Sequence, residues 1–63
     1  MSYSEKLLDA IENQDFSQNK ILLKQALDND EPEVLASLAE NLTSYGFTNL
    51  SKEVYRSLIA KFP

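Results

Sequence analysis

The chain has 63 residues, a formal net charge of −4 and neither Cys nor His. A chain this short makes one small domain that buries only about 60% of its unfolded surface, with no disulfide to staple it. Its 43% hydrophobic content is too high for disorder by composition, and ten acids against six bases argue against nucleic acid or anionic lipid as partners. A modest acidic balance serves solubility, and a basic or neutral partner fits it better than an acidic one. No apolar run approaches the roughly 18 residues of a membrane span, and Met1-Ser2-Tyr3-Ser4-Glu5 lacks a signal peptide's basic start and apolar block. Cytoplasmic residence is expected.

Four helices are expected in chain order. The first begins at Ser2 or Ser4, either of which can cap it, with Tyr3, Leu7, Ala10 and Ile11 as its apolar stripe and Leu8 widening it. Asn13-Gln14-Asp15 reads as a break. Ser17 then offers a cap for a second helix running to about Leu27, with Phe16 stapled before it. Leu23, Ala26 and Leu27 face inward, with Ile21 and Leu22 alongside, while Lys20 and Lys24 lie outside. Pro32 suits the first turn of a third helix, where Asp30 or Glu31 can accept from the free amides. Val34, Leu35, Leu38, Ala39, Leu42 and Tyr45 form that helix's buried face. Gly46 supplies the turn's backbone freedom, and Thr48 or Asn49 caps a fourth helix ending near Phe62. Its stripe is Leu50, Val54, Tyr55, Leu58, Ile59 and Phe62. The fold class is therefore all-α, four antiparallel helices as two stacked helix–turn–helix hairpins.

Chemistry is thin. Without His or Cys the commonest bases, nucleophiles and transition-metal ligands are missing, so no catalytic role and no cofactor is expected. Glu5, Asp9 and Glu12 share one side of the first helix, a pattern far more often a solvated face than a cation site. Asp28-Asn29-Asp30 lacks the Gly and distal Glu of a calcium loop, and the lone Gly46 makes no phosphate cradle. Asn41-Leu42-Thr43 and Asn49-Leu50-Ser51 match the glycosylation pattern only as chance matches on helix surface and cap.

The two halves repeat. A shift of 32 residues lays Tyr3 on Leu35, Leu7 on Ala39, Ala10 on Leu42, Leu23 on Tyr55 and Leu27 on Ile59. The same shift lays Lys20 on Lys52 and Lys24 on Arg56, and repeated surface cations are less expected of unrelated hairpins than repeated core. At Leu35, Leu38, Ala39, Gly46, Ser51 (where a small residue belongs), Tyr55 and Pro63 the second half resembles the tetratricopeptide repeat (TPR) family, a helix–turn–helix unit of 34 residues, with Leu42 in place of the usual aromatic. The first half matches at Tyr3, Leu7, Phe16, Leu23, Ala26 and Leu27, with Gln14 in place of the turn glycine and Asn19 in place of an alanine. Leu58 departs from the pattern where a small residue is usual. One repeat covers about residues 1–31 and the other about 32–63.

The resemblance implies a protein-binding scaffold in which the first helix of each pair lines a concave groove. Ser4, Leu8, Ile11 and Glu12 would line it from the first repeat, and Glu33, Ala36, Glu40, Thr43 and Ser44 from the second. With no Lys on these faces, capture of a chaperone C-terminal carboxylate is not expected. The partner would be a protein or peptide, basic or apolar, with Glu12 and Glu40 steering its basic residues toward the groove. Leu8 and Ile11 are either ligand anchors or part of a wide buried face, and helical spacing favours burial. Repeat arrays generally need about three units, so Leu58, Ile59 and Phe62 call for a cover. Either the chain continues into further repeats, the reading favoured here, or two copies cover each other as a homodimer. A small helical dimerisation or regulatory domain without a peptide groove is the alternative function.

Overall fold

The computed structural model describes residues 1–62 and leaves Pro63, with its expected closing role, outside the described residues. Four helices form among them: α1 Tyr3–Glu12, α2 Asn19–Asn29, α3 Pro32–Ser44 and α4 Thr48–Lys61. The molecule measures 33 × 22 × 16 Å. The most extensive packing is α3 on α4, then α1 on α2, with α1 against α3 joining the two hairpins. Tyr45 Oη donates to Glu12 Oε1 at 2.7 Å, tying the C-terminal ends of α3 and α1. Lys61 Nζ donates to the Leu27 carbonyl at 2.6 Å, tying those of α4 and α2. Corresponding helices of the two hairpins therefore run in the same direction, and the architecture is two stacked helical hairpins.

The core is a single cluster of Leu7, Ile11, Leu23, Ala26, Leu35, Leu38, Ala39, Leu42 and Val54. Tyr3, Leu8, Leu22, Leu27, Phe47, Leu50 and Leu58 pack around it half-buried. Leu7 and Ile11 come from the stripe expected of α1, and Leu35, Leu38, Ala39 and Leu42 from that of α3, whereas Ala10 and Val34 are only half-buried; short helices need such an apolar partner face because they are marginal alone in water.

Both first helices end in the same motif. After α1, Gln14 N–H donates to Ile11 O at 3.0 Å and Asp15 N–H to Ala10 O at 2.8 Å. After α3, Gly46 N–H donates to Thr43 O at 3.0 Å and Phe47 N–H to Leu42 O at 2.8 Å. This is the Schellman pattern, and it requires a left-handed residue at its hinge. Gly46 supplies it at φ 87° and Gln14 at φ 58°. The two hinges are 32 residues apart, as the repeat shift requires.

The caps depart from expectation in instructive ways. Ser2 caps α1, not Ser4: Ser2 Oγ accepts from Glu5 N–H while Glu5 Oε1 accepts from Ser2 N–H, both at 3.1 Å. That reciprocal box satisfies two groups where Ser4 would satisfy one. Ser17 does not cap α2; its hydroxyl donates to Asp15 Oδ1 at 2.7 Å within the turn, and α2 starts two residues later. Phe16 is half exposed and packs against Phe47 with the rings tilted by 53° and their centroids 5.6 Å apart, so it pins the two turns together instead of stapling α2. No side chain caps α3 or α4, whose cap positions are Glu31 and Phe47. Thr48 is already inside α4 and Asn49 follows it. Ile21 and Tyr45, expected to face the core, are exposed, as are Tyr55, Ile59 and Phe62 on α4.

Candidate functional site

Charge divides the molecule by layer. The first helices α1 and α3 carry Glu5, Asp9, Glu12, Glu33 and Glu40 against Lys6 alone. The second helices α2 and α4 carry Lys20, Lys24, Lys52, Arg56 and Lys61 against Asp28 and Glu53. Because α1 packs on α3, their acids belong to the same first-helix layer. Every acid of α1 and α3 is exposed, as a solvated carboxylate requires.

Of the residues expected to line a first-helix groove, Glu12, Glu33, Glu40 and Ser44 are exposed and Leu8 and Ala36 half-buried. Three others are otherwise engaged. Ile11 is only 5% exposed and belongs to the core, so it offers no surface to a ligand. Ser4 is buried: Asp30 Oδ2 accepts from its N–H at 2.8 Å and from its hydroxyl at 2.6 Å. Asp30, expected at the start of α3, instead reaches back to cap α1, because the α2–α3 turn places it beside that helix's free amides. Thr43 is exposed, but its hydroxyl is turned to α4, 2.7 Å from Ser51 Oγ. Both hydroxyls reach the Ala39 carbonyl, at 3.0 and 2.9 Å, and Ser51 is buried where a small residue was expected.

Tyr45 was read as core and instead stands at the edge of the acidic face. Accepting its hydroxyl proton holds Glu12 in place, and the bond to that carboxylate pushes the Tyr45 phenol above its ordinary pKa. Glu12 closes α1, where the helix dipole disfavours an acid, so the donor also offsets an unfavourable position. No group of three or more potential metal-ligating side chains converges among the described residues.

Two features lie on the second-helix layer. The outer side of α4 exposes Tyr55 at 44%, Ile59 at 70% and Phe62 at 54%, whereas Leu58 is packed half-buried against the core and contributes little to that surface. The 32-residue shift pairs Tyr55 and Ile59 with Leu23 and Leu27, which line the α2–α4 seam together with Leu50. What the second hairpin covers in the first is left open in the second. The other feature is a groove of about 570 Å³ along that seam, bordered by Lys20, Lys24, Asp28, Glu53, Ser57 and Lys61 over Leu23, Leu27 and Leu50. Sequence reasoning missed the groove. Its trace was the cation pair Lys20 and Lys24 on the outer side of α2, legible as surface but not as a site.

No helix among the described residues is long and apolar enough to cross a membrane. Comparison of the chain with protein-family models, curated proteins and solved structures found no match.

Proposed function

We propose that this chain is a non-catalytic, TPR-like protein-interaction module that binds a basic or basic-and-apolar segment on the outer face of α1 and α3. The observation that carries the reading is the five-to-one excess of acids on those two helices, all of them exposed. Glu12, Glu33 and Glu40 attract the cations of the segment, Ser44 offers a hydrogen-bonding group, and Leu8 and Ala36 supply shallow apolar contact. The repeated Schellman hinges and the buried Ser51 at the α3–α4 contact support the TPR-like reading. A cytoplasmic setting is part of the same proposal. No nucleic acid, membrane or cofactor enters it.

The test is fluorescence anisotropy with a labelled amphipathic peptide of Lys and Leu. Reversing Glu33 and Glu40 together, Glu33→Lys and Glu40→Lys, weakens binding about tenfold or more, ~1.4 kcal/mol, and flattens its salt dependence. Unchanged affinity in that variant excludes the acidic face as the site.

A second reading rests on the exposed Tyr55, Ile59 and Phe62: this face is covered by a further helical hairpin or by a second copy of the chain. Sedimentation across a wide concentration range separates the two, since only the second copy makes mass depend on concentration.

A further inference from the structure

We infer that the α2–α4 seam is a second interaction site, on the layer opposite the acidic face, and that it takes an acidic amphipathic helix. Three observations converge on it. The first is shape: the seam is an open groove with an apolar floor, where Leu27 and Leu50 are half-buried over the buried Leu23. A long apolar trough with a polar border receives the apolar stripe of a helix, whose i, i+3, i+4 and i+7 positions fill it.

The second is charge. Lys20, Lys24 and Lys61 are half of the chain's six cations, and all three border this groove in a molecule of net charge −4. Asp28 and Glu53 border it too, but Lys20 and Lys24 lie one turn apart on α2 with no acid between them on that side. Lys61 is fixed over one end by its bond to the Leu27 carbonyl. A carboxylate-bearing occupant is favoured there and a cationic one is not.

The third is that Lys20 and Lys24 stand at i and i+4 on the groove's border. Cations at that spacing repel one another and weaken their own helix. An anionic partner converts that repulsion into attraction. The two layers thus prefer partners of opposite sign, and the site stands independently of the acidic face.

The experiment uses the full chain and a labelled 14-residue amphipathic peptide of Glu and Leu at helical spacing, read by fluorescence anisotropy. The expected result is saturable binding that Lys20→Glu with Lys24→Glu weakens about tenfold or more. Lys6→Glu with Lys52→Glu, which changes net charge by the same amount away from the groove, weakens it less than about threefold. All four lysines are exposed, so circular dichroism of both double variants matches the parent. Equal loss in both double variants means nonspecific charge attraction and overturns the proposal. Tighter binding of the peptide with Lys in place of Glu overturns it as well. So does self-association of the unliganded chain that Lys20→Glu with Lys24→Glu abolishes, because the occupant is then a second copy.

Discussion

At Asp30 a single carboxylate does the work of an interhelical clamp. It accepts from the Ser4 amide at 2.8 Å and the Ser4 hydroxyl at 2.6 Å, and Ser4 is buried. Asp30→Ala leaves both donors unpaired and costs about 1–3 kcal/mol in urea unfolding, whereas Asp30→Asn keeps one acceptor and costs less. A loss below about 0.5 kcal/mol for the alanine variant would mean that water replaces the carboxylate. Nothing in the one-dimensional pattern pointed to this contact, because an acid before a Pro reads as a local cap. The left-handed hinges were half legible: Gly46 announced its turn, while Gln14 adopts φ 58° at the equivalent place without the residue type that eases it. Gln14→Gly therefore relieves strain and raises stability by roughly 0.5–1 kcal/mol, and Gly46→Ala lowers it by about 1 kcal/mol although no atom beyond its chain neighbours lies within 4 Å of the added methyl. Tyr45 links residue chemistry to pH. Its raised pKa means that the Glu12 bond stabilises the fold below the ordinary phenol pKa near 10 and is lost as pH rises through the folded value. Absorbance titration of Glu12→Gln returns the Tyr45 transition toward the ordinary value.

Among the elements, α1 and α3 were the most legible, since each carries a strong apolar stripe and the core takes Leu7 and Ile11 from one and Leu35, Leu38, Ala39 and Leu42 from the other. The second helices were harder to read. Their stripes are wide enough to allow two orientations, and the structure buries Leu23 and Val54 while exposing Ile21, Tyr55 and Ile59. Which side is covered depends on the neighbouring hairpin, a relation that no single helix encodes. Caps followed the same division: the Ser2–Glu5 box is local and recognisable, but α2, α3 and α4 begin without a side-chain cap. The box also makes α1 sensitive to acid. Hydrogen bonds from the Ser2 backbone and then its side chain hold Glu5 below the usual carboxylate pKa. Its contribution is therefore present above the unfolded-state value and lost as pH falls through the folded one. Glu5→Gln retains an acceptor without titrating, so its helicity falls less than the parent's between about pH 5 and pH 3. An identical acid profile for both chains would assign that loss to other carboxylates.

For the whole molecule, the organising fact is the separation of charge into an acidic first-helix layer and a basic second-helix layer. The acidic residues of the candidate site were readable as a helical pattern and helical spacing favoured a buried Ile11, but Ser4 and the Thr43 hydroxyl were not separable from the acids until packing was known. Repetition placed residues on the right helices; the third dimension decided which of them meet solvent. The exposed Tyr55, Ile59 and Phe62 carry their own prediction: if a second copy covers them, Ile59→Asp abolishes concentration-dependent mass in sedimentation while the monomer stays helical. The measurement that tests the central claim most directly is an amide-resolved NMR titration of the full chain with the unlabelled Lys and Leu peptide. Saturating shifts at Leu8, Glu12, Glu33, Ala36, Glu40 and Ser44, with α2 and α4 unmoved, are the result that the acidic-face site predicts. Shifts confined to α2 and α4, or none up to millimolar peptide, would contradict it.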